Sequence, residues 1–140
     1  MSDEADCYVY LIAKRDGDHL CSPIKLGISA NAGLRLSQLQ TACPFPLALV
    51  HVLRMPTRWM AREIEGCFHY TQRDQKSHGE WFDMQPGDAL ATLLMQFRLH
   101  LQMNEVSEDI RADVIELCGA GDEAVALARQ LRAKETEGKQ

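Results

Sequence analysis

The stretch Ile24 to Gln40, reading IKLGISANAGLRLSQLQ, most narrows what this chain can become. Ile24-Lys25-Leu26-Gly27-Ile28 is a short run of strand-type residues, Ser29-Ala30-Asn31 supplies turn and cap chemistry, and the leucine spacing that follows is helical. A strand therefore delivers the chain to a helix N-terminus. Gly27 has no Cβ, so another backbone or a ligand can come close, and the unpaired N–H groups of the next helix carry a partial positive charge. Arg35, about two helical turns beyond the glycine, can add a bidentate contact to a phosphate. A plainer reading fits the same residues: Gly27 marks a bulge, and Arg35 pairs with a surface carboxylate.

Before this stretch, Cys7 to Ala13 (CYVYLIA) alternates Tyr8, Tyr10 and Ile12 against Cys7, Val9 and Leu11, which predicts a strand covered on both faces. Lys14 to Pro23 carries Asp-Gly and Pro punctuation, so the first two strands are expected to form an antiparallel hairpin with a long connection, bringing Tyr10 near Lys25. After it, Pro44 and Pro46 end the helix, and Leu47 to Leu53 (LALVHVL) reads as a strand buried on both faces with His51 as a satisfied core or edge histidine. Thr57 is a plausible N-cap for a helix with Met60, Ile64, Cys67, Phe68 and Thr71 toward the core. Ala61, Glu65 and His69 form the bordering stripe, placing a carboxylate and an imidazole one turn apart where they can reach a cleft. Glu65 can equally be a solvated partner of Arg58, Arg62 or His69. Trp81-Phe82 is a short strand or a plug, with Trp81 suited to base stacking or to the core. Leu90, Leu93, Leu94, Phe97 and Leu101 then mark a core-facing helix, followed by expected helices over about Glu105–Cys118 and Asp122–Lys134.

A chain of 140 residues, 46% hydrophobic, is long enough for one domain with a core. No apolar run approaches a membrane span and the N-terminus is acidic, so a cytoplasmic protein without a membrane partner is expected. The five cysteines are scattered and odd in number, which reads as reduced thiols; a zinc cluster of Cys67, His69 and His78 lacks a second close-spaced ligand pair. The net charge of −5 is unevenly spread: Leu20 to Glu80 holds 7 basic and 4 acidic residues (7 − 4 = +3), whereas from Leu101 onward 5 basic face 9 acidic (5 − 9 = −4). A mildly basic middle suits phosphate binding, although an ordinary solvated face has the same count.

Tyr8-Val9-Tyr10, then Lys25-Leu26-Gly27, Arg35, Glu65 with IEGCFH, and GEWF stand in an order that resembles the GIY-YIG nuclease superfamily over residues 7 to 84. It is most similar to the short phage- and fungal-type branch, the T5orf172-like and meiotically up-regulated-like domains, with KLG in place of YIG. The resemblance implies an α/β (α+β) fold, a small three-stranded antiparallel sheet flanked by helices, with residues 7–84 as catalytic domain; residues 85–140 read as a helical C-terminal extension packed on or appended to it. It also implies a DNA endonuclease using one divalent metal, Mg²⁺ or Mn²⁺. By position Glu65 would hold the metal, Arg35 the scissile phosphate, Tyr10 would hydrogen-bond near the nucleophile, and Gly27 would shape the turn beneath them. Lys25 replaces the tyrosine of the second motif and would act as a base or a phosphate contact. His69 would transfer a proton, bind phosphate or make a structural bond, and Lys25, Gly27, Arg35 and Arg62 would face DNA. The late asparagine of the family has no counterpart where Trp81-Phe82-Asp83 stands. Two other classes remain in view: a catalytically inactive nucleic-acid-binding module, and a protein-interaction or self-association domain using the acidic helices after Glu105.

Overall fold

A computed structural model describes residues 7–103 and 122–137. Its strands are β1 (Cys7–Asp16), β2 (His19–Ser29), β3 (Leu47–Met55) and β4 (Trp81–Phe82), and its helices are α1 (Ala32–Thr41), α2 (Arg58–Thr71), α3 (Pro86–Met103) and α4 (Asp122–Glu137). The strands form one antiparallel sheet in the order β3-β1-β2-β4. The expected three-stranded sheet is thus a four-stranded one. Trp81-Phe82 is the additional strand, pairing with Lys25 and Ile24 of β2, and Phe82 also bridges Lys76.

Alternation along β1 separates two cores. Cys7, Val9, Leu11 and Ala13 join Ile24 and Leu26 beneath α2 and α3, which contribute Ala61, Ile64, Phe68, Leu90, Leu93 and Phe97. Tyr10 and Ile12 face the other way, with Leu47, under Ala32, Leu36 and Leu39 of α1. A strand apolar on both faces can only be satisfied with helices on both sides. Both predicted caps form: Leu34 N–H donates to Asn31 Oδ1 at 3.0 Å and Met60 N–H to Thr57 Oγ1 at 3.1 Å.

Several expectations are corrected. Asp16 pairs with His19, so the hairpin turns on Gly17-Asp18 instead of a long loop, and Gly17 supplies the positive φ of 63° that the turn needs. Ser22 and Pro23 form a bulge opposite the Ala13–Lys14 step, which lets a proline sit in a paired strand. β3 is an edge strand, half-buried over Ala48–Val52, and His51 Nε2 is buried without a hydrogen bond; burial holds the His51 pKa below its usual value. Cys67 and Thr71 are exposed, and Ala61 takes the core position beside Ile64 and Phe68. The helix expected over Glu105–Cys118 lies outside the described residues.

α4 rests on the first turn of α3. Leu131 packs on the main core, Arg132 Nε lies 3.3 Å from Asp88 Oδ1, and Gly87 N–H donates to Glu135 Oε1. A carboxylate there meets the positive end of α3. Gly87 is required by proximity, because a Cβ would stand 2.8 Å from the Arg132 backbone nitrogen. No described helix is long and apolar enough to cross a membrane.

Candidate active site at the open edge of β2

Because β4 meets β2 only at Ile24 and Lys25, β2 has no strand neighbour on that side from Leu26 onward among the described residues. An unpaired strand edge must be covered or blunted. His69 of α2 does so: its Nε2 lies 2.9 Å from the Leu26 carbonyl oxygen, and its ring meets Phe82 edge-on at 4.9 Å. A carbonyl only accepts, so Nε2 carries the proton and Nδ1 is left as the second functional nitrogen.

Glu65 sits one turn before His69, half-buried. No described side chain or backbone donor hydrogen-bonds its carboxylate. Burial raises its pKa above the ordinary 4.5; the charge of His69 opposes that shift, Glu80 reinforces it, and Lys25 and Arg62 oppose it further. A half-desolvated anion beside an imidazole is therefore a place where an added cation is favoured.

Lys25 is only 5% exposed. Its Nζ donates to Glu80 Oε2 at 2.6 Å and stands 5.9 Å from the centre of the Trp81 ring. That hydrogen bond and the Lys25 charge hold the Glu80 carboxyl below its usual pKa, with smaller help from His69 and Arg35. Arg35 lies on α1, on the face of the sheet that Lys25 shares with Ile12, and its one side-chain hydrogen bond among the described residues is a long 3.4 Å contact to Gln38. Arg62 is exposed on α2 at the margin.

Tyr10 lies directly across from Gly27 in an unbroken register, which excludes a bulge at that glycine. Its ring lies over the glycine: a Cβ at Gly27 would stand 2.5 Å from Oη and 2.7 Å from Cζ. The close approach foreseen at Gly27 is therefore made by Tyr10 itself. Tyr10 is 2% exposed, on the α1 face, one strand in from the charged edge.

The fold brings Lys25, Glu65 and His69 to one edge of β2, with Arg62 exposed on the helix that carries Glu65 and Tyr10 behind, while Arg35 stands on α1 with Gln38 as its side-chain partner. Sequence reasoning missed Glu80 as a site residue. The available signal was an acid immediately before a strand whose first residue, Trp81, pairs with Lys25. No group of three or more His, Cys, Asp or Glu side chains able to hold a metal exists among the described residues. A site with one open carboxylate does not fit zinc, but it fits Mg²⁺, which keeps most of its waters and takes one or two carboxylates.

Comparison with curated proteins and with solved structures found no significant match. The family model of the T5orf172 domain matches residues 7–96, a span that contains the whole sheet, α1, α2 and every residue of the edge cluster. On that match the chain belongs to the T5orf172 domain family, a nuclease-like group related to the GIY-YIG nucleases.

Proposed function

We propose that the chain is an endonuclease of the short, KLG-bearing branch that hydrolyses DNA phosphodiester bonds with one divalent metal, Mg²⁺ or Mn²⁺. The observation that carries this reading is the placing of Glu65 and His69, one turn apart on α2, at the open edge of β2 through the His69–Leu26 contact, next to Lys25. In this reading the catalytic unit is residues 7–84, with 85–140 as a C-terminal extension whose first helix, α3, packs on the sheet through Leu90, Leu93 and Phe97.

In this reading the Glu65 carboxylate holds the cation, whose chemistry is Lewis-acid stabilisation of charge on the phosphoryl oxygens. Arg35 presents its guanidinium fork to the scissile phosphate. His69, fixed through Nε2 to Leu26, offers Nδ1 to accept a proton from the attacking water. Lys25 already donates to an oxyanion, Glu80, an arrangement that suits phosphate contact better than proton acceptance. Tyr10, braced over Gly27, supplies a hydroxyl near the nucleophile, and Arg62 meets a neighbouring phosphate.

One feature favours a second reading, a catalytically silent DNA-binding module: Lys25 stands where the resembled motif has tyrosine, and it is buried against Glu80. The deciding experiment is nicking of supercoiled plasmid by wild type and Glu65→Gln with Mg²⁺, Mn²⁺ or EDTA. Metal-dependent nicking that falls at least about a hundredfold in the variant is expected. Metal-independent DNA binding by both proteins, without cutting by either, would leave the silent module.

A further inference from the structure

A pocket of about 320 Å³ opens between the end of α1, the loop after it and β4, lined chiefly by Pro23, Cys43, Pro44, Phe45, His78 and Trp81. We infer that it receives one unpaired nucleobase of the bound strand, next to the phosphate held at the β2 edge. The inference rests on the nucleic-acid part of the proposed function and not on catalysis.

Four observations carry it. The walls are flat and apolar, and the size is at the small end of ligand pockets, about 300–1,000 Å³. Trp81 packs on the smaller core yet stays only partly buried, whereas its neighbour Phe82 is wholly buried, so part of the indole remains open to the pocket. Phe45 meets Trp81 edge-on, with centroids 6.3 Å apart and planes at 75°, so the two rings are not stacked on each other. Cations flank the pair: Lys14 Nζ is 5.0 Å from the centre of Phe45, and Lys25 Nζ is 5.9 Å from that of Trp81. An uncharged aromatic slot between two ammonium groups matches a nucleotide, whose base has a π face and whose neighbouring phosphates are anionic.

The pocket also adjoins the candidate active site: Trp81, which lines it, directly follows Glu80, the partner of Lys25, and pairs with Lys25 across β2 and β4. A base inserted against Trp81 leaves its own backbone beside Lys25, which favours DNA with an unpaired or extrahelical nucleotide over a fully paired duplex.

The test uses the full chain in EDTA, so that cleavage does not interfere, with three labelled duplexes: fully paired, with one extrahelical 2-aminopurine, and with an abasic residue in its place. Wild type is expected to bind the 2-aminopurine bulge about tenfold or more tighter than the paired duplex, with quenched 2-aminopurine emission. The abasic duplex should bind at the paired level. Ala42→Phe, which fills the pocket from an exposed position, and Trp81→Leu should each abolish the preference while retaining affinity for paired DNA. Equal affinity for all three duplexes, or a preference that survives the abasic substitution, would overturn the pocket. Absence of any nucleic-acid binding at low salt would overturn it together with the proposed function. A base preference without metal-dependent nicking would remove the nuclease reading alone.

Discussion

Gly27→Ala isolates the contact that fixes Tyr10. The new methyl carbon would stand 2.7 Å from Tyr10 Cζ and 2.5 Å from Oη, where ordinary contact begins at 3.4 Å. The ring must therefore withdraw by about 0.7 Å at Cζ (3.4 − 2.7) and about 0.9 Å at Oη (3.4 − 2.5). It has little room to do so, because Tyr10 is 2% exposed and packed among Ile12, Ala32 and Leu47. Overpacking of this kind costs about 1–3 kcal/mol, partly offset by the roughly 0.5–1 kcal/mol that alanine gains over glycine inside a strand. A net loss of about 1–2 kcal/mol is expected, or roughly 3–7 °C in Tm for a domain of this size. The assay is a double-mutant cycle by urea denaturation with Tyr10→Leu as the second substitution. If the clash is the cause, Gly27→Ala becomes nearly neutral in the Tyr10→Leu background, a coupling of at least about 1 kcal/mol. Equal cost in both backgrounds would refute the assignment and point to the backbone of β2.

Glu80→Gln leaves the Lys25 ammonium buried with a neutral partner. An exposed ion pair is worth up to about 1 kcal/mol and disruption of a buried one about 3–5, so this half-exposed pair should lose about 2 kcal/mol at neutral pH. Because the folded Glu80 pKa is depressed, its contribution is complete above the unfolded value and lost as pH falls through the folded one; the difference from wild type must shrink below pH 4.5 in paired denaturation curves. Glu65→Gln should behave oppositely. Its folded pKa is raised, so stability linked to the protonated form is present below the unfolded value and lost as pH rises through the folded one; the variant should equal wild type in acid and exceed it by up to about 1 kcal/mol above that window. Metal-induced thermal stabilisation should vanish in the same variant, and a shift equal to that of wild type would place the cation elsewhere. Asn31→Ala removes the Oδ1 acceptor for Leu34 N–H and should cost about 1 kcal/mol, with Asn31→Asp retaining most of it, measurable by thermal denaturation.

The parts of the fold that were legible in the sequence are those where one local rule decides the outcome. Alternation in Cys7–Ala13 dictated two covered faces, Asn31 and Thr57 had the side chains a helix start requires, and the leucine spacing of α3 matched its buried face. The misread parts depend on contacts distant in sequence. Arg15, Asp16 and His19 look like loop residues because that end of the hairpin is exposed, yet their backbones remain paired. A strand of two residues has no period to detect, so β4 was invisible as a definite strand, and with it the Lys25–Glu80 contact across 55 positions. Helical spacing did place Glu65 and His69 together on a border. It could not show that His69 would bond the Leu26 carbonyl across 43 positions.

Position 25 then acquires a physical meaning that a motif alone does not supply. A buried ammonium needs a counter-charge, and Glu80 provides one from the turn just before β4 while its own side chain remains 59% exposed. In the proposed reaction an approaching phosphate exchanges one oxyanion for another at Lys25. The ammonium is never left unpaired, and the displaced carboxylate returns to water from a position already largely hydrated. The asymmetry in exposure makes the exchange feasible: two fully buried partners would be costly to separate, whereas here only the lysine is enclosed. Glu80 in this arrangement keeps a phosphate position ready and ties the two residues of β4 to β2, so that the pairing stabilising the edge of the sheet also prepares the site beside it.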